Sequence, residues 1–402
     1  MSFARILIEM AGRQGRSLPP ETHPEPLATL DYLDELALKR EALSAFWRAA
    51  DLPGRPDPVL PAPQPRRYRT TTKRRVVPGP RGVTLAFPGA PAARQRLAPS
   101  ALDLPEHVAL YEFLIEELSR PAARPLAAVL SWAIVRGAAG RLALVLNVRR
   151  LDAPIVRSAK RLSEALQEAA CAQAGFLYLD PSDSGYYLEA RRPTGTVAFK
   201  RLFGPDWLPV EAQGMRLRFP VTVFSQVNGA MLETMITTAL SLLGPLAGRT
   251  LLDLYCGYGL FSLTAGREAA HVTGVDTDGP AIEAARANAV HCGAANRTRF
   301  VAGRIDADFL AARLRRPAAP EVVLLDPPRQ GTYPGVVAAV AARQPAHVVH
   351  ICCGTEEIPR EVAAWSAAGL AVQRVVPLDL FAGTANLETM LLLSRAERAA
   401  PS

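Results

Sequence analysis

Cysteine is scarce in this chain of 402 residues. The five present, Cys171, Cys256, Cys292, Cys352 and Cys353, form no CxxC pair and no spacing suited to zinc or an iron–sulfur cluster. Reduced thiols and no metal centre are therefore expected. No uninterrupted apolar run reaches about 18 residues. The N-terminal MSFARILIEMAGRQGR has too short an apolar core for a secretory signal, so a membrane span and export are excluded and a cytoplasmic location is expected. No internal repeat of about 20–50 residues is present, which argues against a solenoid. Lysine is missing from Arg249 onward, where fifteen arginines face fifteen acids, so the net charge of +8 sits wholly in the earlier residues. The later part reads as a neutral catalytic body and the earlier part as a surface that meets an anion. A basic excess also serves solubility, so charge alone leaves nucleic acid open.

What is present divides the chain into three stretches. Residues 26–50 carry apolar positions at helical spacing, and the following DLPGRPDPVLPAPQP holds six prolines. The reading is a helical extension with a stiff proline-rich linker over 1–65. The segment RRYRTTTKRRVVPGPR contributes Arg66, Arg67, Arg69, Lys73, Arg74, Arg75 and Arg81 with no acid, and its β-branched residues favour a strand. At that density phosphate contact outweighs a merely charge-protected edge. Helices and strands then mix: a helix over LPEHVALYEFLIEELSR, strands AVLSWAIV and LALVLNV, a helix over IVRSAKRLSEALQEAACAQA, and strands FLYLD and GYYLEA. This is an α+β domain over 66–225. From about Thr250 strands and helices alternate strictly, which gives an α/β domain over 226–402 with five parallel strands and a final antiparallel hairpin.

Four unusual residues fall at the carboxyl ends of those strands, where open parallel sheets bind ligands. In DLYCGYG, Gly257 and Gly259 let the backbone pass close to a ligand. Asp276 ends the next strand, seventeen residues after Gly259, where a carboxylate accepts from both hydroxyls of a ribose. Ser262 stands where a dinucleotide motif has its third glycine, which suits S-adenosylmethionine better than a pyrophosphate. Asp326 of DPPRQG follows the fourth strand and Cys353 the fifth. Because the last strand runs backwards, its first residues, including Glu388, return to the same rim. Taken singly, a buried cysteine is inert core and a glutamate at a strand start is solvated; the convergence is the signal.

FSQVN (224–228), LLDLYCGYGLFSL (251–263), DPPRQG (326–331), the strand-end Cys353 and LET (387–389) together resemble the S-adenosylmethionine-dependent RNA 5-methyluridine methyltransferases of transfer and ribosomal RNA. The resemblance covers roughly the last 180 residues and reaches loosely back to RRYRTTTKRRVV. It implies a C-terminal class I (Rossmann-like) methyltransferase domain preceded by an RNA-binding domain, a monomer, and RNA as partner. Gln226, Tyr255, Gly257, Gly259, Asp276 and Asp326 would face the cofactor, Cys353 would be the nucleophile and Glu388 the base. In that chemistry the thiolate adds to carbon 6 of uracil, carbon 5 accepts the methyl group, and the base removes the carbon-5 proton. The chain departs from the family at Cys352-Cys353-Gly354-Thr355, where serine-cysteine-asparagine-proline is usual, at Leu260, and at Asn386-Leu387 before Glu388. The iron–sulfur branch's cysteine cluster is missing.

Two rivals stay open: the same fold acting on a small pyrimidine or natural product, which leaves the basic half idle, and a non-catalytic RNA-binding homologue, which leaves Cys353 and Glu388 unexplained. Successive strand residues face opposite ways, so only one of Cys352 and Cys353 projects into the cleft. Replacing Cys353 by alanine is expected to abolish methylation while Cys352→Ser keeps most of it, as read by transfer of a labelled methyl group to RNA.

Overall fold

Alternating apolar and polar residues build the strands, and their parity decides which side chains are buried. The computed structural model describes residues 2–20, 23–80, 82–87, 96–180 and 199–395. It divides into two compact units: 67–209 with 219–229, and 1–66 with 210–218 and 230–402. Arg81 and the expected strand GYYLEA lie outside the described residues.

In the first unit, β1 (Thr71–Gly79), β2 (Gly82–Ala86), β3 (Leu130–Ala138), β4 (Arg141–Val148), β5 (Ala174–Leu179) and β6 (Phe199–Phe203) form one sheet in the order β2-β1-β3-β4-β5-β6. All neighbours are antiparallel except β4 and β5, whose crossover is the helix Ala153–Glu168. Asp152 starts that helix, its carboxylate accepting from the Ile155 amide at 3.0 Å. Leu110 and Leu114 of the helix Pro105–Ser119 and Leu162 of the crossover helix pack with Val135, Leu144 and Leu146 of the sheet. The buried Arg136 reaches the other way. Its guanidinium donates to the carbonyls of Val221 and Val223 and to Ser225 Oγ, fixing the segment 219–229 within this unit.

The ribbon β7 (Trp207–Ala212) and β8 (Met215–Pro220) precedes the second sheet. That sheet contains β9 (Thr250–Leu254), β10 (His271–Asp276), β11 (Thr298–Ala302), β12 (Glu321–Leu325), β13 (His347–Cys352), β14 (Leu370–Leu378) and β15 (Glu388–Arg395), in the order β11-β10-β9-β12-β13-β15-β14. The first five run parallel, as the alternation from Thr250 requires. β14 and β15 form the expected antiparallel hairpin at the sheet edge, with β15 paired antiparallel to β13 and β14 outermost. The mixed α/β sheet agrees with the expected methyltransferase architecture.

Residues 1–66 depart from the expectation of an extension and linker. Phe3, Leu7, Phe46 and Trp47 of the first two helices belong to one continuous core with Leu254, Val323 and Trp365 of the sheet unit. The proline-rich segment runs along the sheet edge. Asp57 N donates to Val375 O at 2.8 Å, Leu60 N to Pro377 O at 2.9 Å, and Asp379 N to Leu60 O at 2.9 Å. Proline cannot donate to a ladder and is tolerated at an edge, so composition that suggests a spacer also suits an edge partner. Among the described residues no helix is long and apolar enough to cross a membrane.

Trp365, on the helix after β13, is fully buried, and its Nε1 donates to His350 Nδ1 at 2.9 Å. Burial drives the pKa of His350 down to about 4, so the ring is neutral and accepts that bond. Trp365→Ala removes the largest fully buried side chain and orphans the histidine; a loss of about 3–5 kcal/mol is expected in chemical denaturation of this unit.

Candidate active site

The site grows from the turn after β9. Tyr255 has φ 66°, Gly257 φ 55° and Gly259 φ 88°, so the chain passes three times through the left-handed region before the helix Leu260–Thr264. A Cβ on Gly257 would meet nothing within 4 Å, which leaves open space above the turn. At Gly259 it would press on Ala285 and Leu263 at 3.3 Å, so this glycine serves packing. For Tyr255 the left-handed conformation is a strained choice. Its hydroxyl is buried with no hydrogen-bond partner among the described residues.

Asp276 ties this turn to the end of β10. One carboxylate oxygen accepts from Gly257 N at 2.8 Å and the other from Asp278 N at 2.8 Å. Ser262 Oγ donates to Asp253 Oδ2 at 2.5 Å, while Asp253 Oδ1 has no hydrogen-bond partner among the described residues. Burial pushes the Asp253 carboxyl up to about 7 despite that bond, with Asp276 adding to the rise. Asp326, directly after β12, is likewise pushed up to about 7, first by burial and then by Asp253 and Asp276. Three carboxyls thus share one poorly solvated rim.

The second half of the rim belongs to β13 and β15. Cys352 pairs in register with Thr389, which sets Cys353 beside the start of β15 at Glu388. Cys352 is fully buried in the core, whereas Cys353 is only half-buried, as strand parity requires. Burial raises the Cys353 thiol, Glu388 and Asp326 add to this, and Arg329 opposes them through its charge and a hydrogen bond. Glu388 is raised well above the usual carboxylate range by burial, then by Asp326 and Glu357, with Arg329 pulling it back. Its Oε2 is buried without a hydrogen-bond partner among the described residues. Gly257, Asp276, Asp326, Cys353 and Glu388 therefore gather at one end of one sheet, linked by overlapping electrostatic reach.

Three residues not assigned from sequence belong here. Arg329 lies in the quoted DPPRQG, and its charge between Cys353, Glu388 and Glu357 was the missed signal. Glu357 accepts from Gly354 N at 2.9 Å, holding the turn that follows Cys353. Glu361 accepts from Thr332 N at 3.0 Å and Thr332 Oγ1 at 2.8 Å, pinning the loop after Asp326.

The other expected contacts sort differently. Gln226 belongs to the first unit, where its carbonyl accepts from Thr70 Oγ1 at 3.2 Å. Arg66 and Arg74 are corrected as phosphate ligands. Arg66 donates to the carbonyls of Leu27, Ala28 and Leu30 and to the Glu35 carboxylate. Arg74 occupies an inward position of β1, 2% exposed, paired with Asp103 at 2.5 Å and lying 4.2 Å from the Phe87 ring. Lys73 and Arg75, on the opposite parity, flank the Trp132 ring at 5.5 and 5.3 Å; Arg67 is exposed and Arg69 half-buried. Among the described residues no group of three or more His, Cys, Asp or Glu is arranged to hold a metal ion.

A family model described as tRNA (uracil-5-)-methyltransferase matches residues 160–396. The chain is 34% identical over 194 residues to an uncharacterized RNA methyltransferase of Thermosynechococcus vestitus, 48% of this chain and 42% of that relative. It is 35% identical over 184 residues to the 23S rRNA (uracil(1939)-C(5))-methyltransferase RlmD of Klebsiella pneumoniae, 46% of this chain and 42% of the relative. These matches thus span about two fifths of the relatives' own length. Among solved structures, the Pyrococcus abyssi tRNA (uracil-54, C5)-methyltransferase in complex with S-adenosyl-L-homocysteine superposes with a TM-score of 0.68 at 18% identity, covering 92% of this chain and 85% of that one. That likeness speaks for the fold.

The rim carries a stability cost with a definite sign. Asp326 keeps its proton up to about 7 in the folded state, against 3.8 ordinarily, so stability from this group falls as pH rises through that window. Asp326→Asn is expected to flatten that fall and to raise Tm at pH 8, by about 2–4 °C for each kcal/mol relieved. Thermal melts of both proteins from pH 4 to 8 check this; a lower Tm for the variant at pH 8 would contradict it.

Proposed function

The chain belongs to the tRNA (uracil-5-)-methyltransferase family, and on that premise we propose that it methylates carbon 5 of a uridine in transfer or ribosomal RNA, in the cytosol, with S-adenosylmethionine as donor. The observation that carries this reading is Cys353 placed with Glu388 and Arg329 at the rim that also holds Asp276 and Asp326.

The residues present fit the donor. The open space above Gly257, the carboxylate of Asp276 and the unpartnered Tyr255 hydroxyl offer a cradle, a ribose acceptor and a spare hydrogen-bonding group. An acid-rich, poorly solvated rim also suits a cation. When bound, S-adenosylmethionine supplies an electrophilic methyl group on a positively charged sulfur. The chain's own residues do the rest. Arg329 favours the Cys353 thiolate, which adds to carbon 6 of the uracil and makes carbon 5 nucleophilic. After carbon 5 is methylated, Glu388 takes its proton, the ring double bond re-forms and the thiolate leaves. The raised pKa of Glu388 makes it a stronger base once ionised. A uracil stacked in RNA must first leave its stack, at a cost of a few kcal/mol, which favours a loop as target. For the first unit we propose an RNA-binding role in which Arg67, Arg69, Lys73 and Arg75 meet phosphates.

Glu388→Gln tests the order of these steps. A variant that adds the thiolate but cannot remove the proton is expected to lose about 10²–10⁴-fold in product formation and to accumulate a covalent RNA adduct on denaturing gels. Nucleoside mass spectrometry of separated transfer and ribosomal RNA from a deletion strain checks the reaction itself. Unchanged 5-methyluridine in both pools would overturn it.

A further inference from the structure

The first 66 residues take no part in that chemistry, yet they bury charge against it. Glu35 and Lys39, one turn apart on the helix Tyr32–Ala49, are both fully enclosed. Lys39 Nζ lies 2.6 Å from Asp379 Oδ1, 2.9 Å from Glu35 Oε1 and 3.2 Å from the Phe381 carbonyl. Glu35 Oε1 accepts from Gly383 N at 2.5 Å, and its Oε2 meets Arg66 at 2.8 Å. Leu27 N donates to Gly383 O at 3.0 Å, and Arg66 holds the carbonyls of Leu27, Ala28 and Leu30. Burial works to lower the Lys39 pKa, but Asp379 and Glu35 outweigh it, so the lysine stays charged.

The contacts that Lys39, Glu35 and Leu27 make with the sheet's own chain fall on one short stretch, the loop between β14 and β15. It is held at the Asp379 carboxylate, the Phe381 carbonyl and both backbone groups of Gly383. The Phe381 ring lies 5.9 Å from the Arg329 guanidinium, and the loop ends at Glu388. A buried set of ions adds little stability that apolar residues of similar volume would not, whereas its directional bonds can specify position. Resting on the reading given above, we propose that Glu35 and Lys39 are positioning residues for the acceptor half of the site, fixing the loop 379–387 so that Arg329 and Glu388 face Cys353.

Lys39→Met and the shape-preserving Glu35→Gln, each in the full chain, test this. Hydrogen exchange is expected to speed up over 379–388 while 253–276 stays as in the wild type. The rate of Cys353 alkylation by iodoacetamide, followed at peptide level, should change. S-adenosylmethionine affinity by calorimetry should stay within about twofold while kcat for RNA methylation falls about 100-fold, the cost of a small misplacement of reacting groups. A merely structural staple gives the opposite pattern: affinity and kcat fall together in step with Tm, or exchange in the loop is unchanged. Either result overturns the proposal. If Lys39→Met does not fold, Glu35→Gln decides alone. If the wild type methylates no RNA, the proposed function fails, while exchange and alkylation still decide for or against the clamp.

Discussion

One reversed strand governs this molecule. In a sheet whose first five strands run the same way, ligand groups gather only where strands end and helices begin. Inserting β15 backwards between β13 and β14 brings a strand's first residue to that same rim. Glu388 thereby stands next to the exit of β13, where Cys353 leaves the sheet. The ladder from Val348–Leu393 to Cys352–Thr389 brings Cys353 and Glu388 side by side from adjacent, opposed strands. The same insertion makes β14 the edge strand, which is why the proline-rich segment has a row of backbone groups to pair with.

The rim is also where the fold bears its electrostatic load. Asp253, Asp276, Asp326, Glu357 and Glu388 are each pushed toward their neutral forms by burial, and Arg329 opposes this at Glu357 and Glu388. Such crowding of perturbed groups in one place is the electrostatic mark of a candidate functional site. The strained backbone at Tyr255 belongs to the same pattern, since both costs fall within the few residues that line the turn and rim.

Much of this was legible in the chain. Strict alternation of strand and helix after Thr250 gives the parallel sheet, and counting strand ends gives the convergence of Gly257, Asp276, Asp326 and Cys353. Parity separates Cys352 from Cys353. The same parity, applied to β1, would have removed Arg74 from the basic patch, since it alternates with Lys73 and Arg75; residue density hides alternation. Arg66 could not be read this way, because it folds back on carbonyls of the segment before it. The Lys39–Asp379 pair spans 340 positions in sequence, and no local pattern announces a partner so distant. Proline-rich composition misled for a related reason: the edge that receives it is made more than 300 residues later.

The long separation has a bearing on how the chain is made. Domains generally fold as they emerge from the ribosome, the N-terminal one first. Here residues 1–66 emerge well before the rest of the unit they belong to, while the unit of 67–209 and 219–229 has its described strands in hand midway. Glu35, Lys39 and the apolar faces carrying Phe3 and Trp47 therefore wait in water, without their partners, through most of synthesis. Charged groups are at ease in water during that interval, and the same charges become an internal fastening once Asp379 arrives. A feature that is costly in the finished protein is thus well suited to the unfinished one.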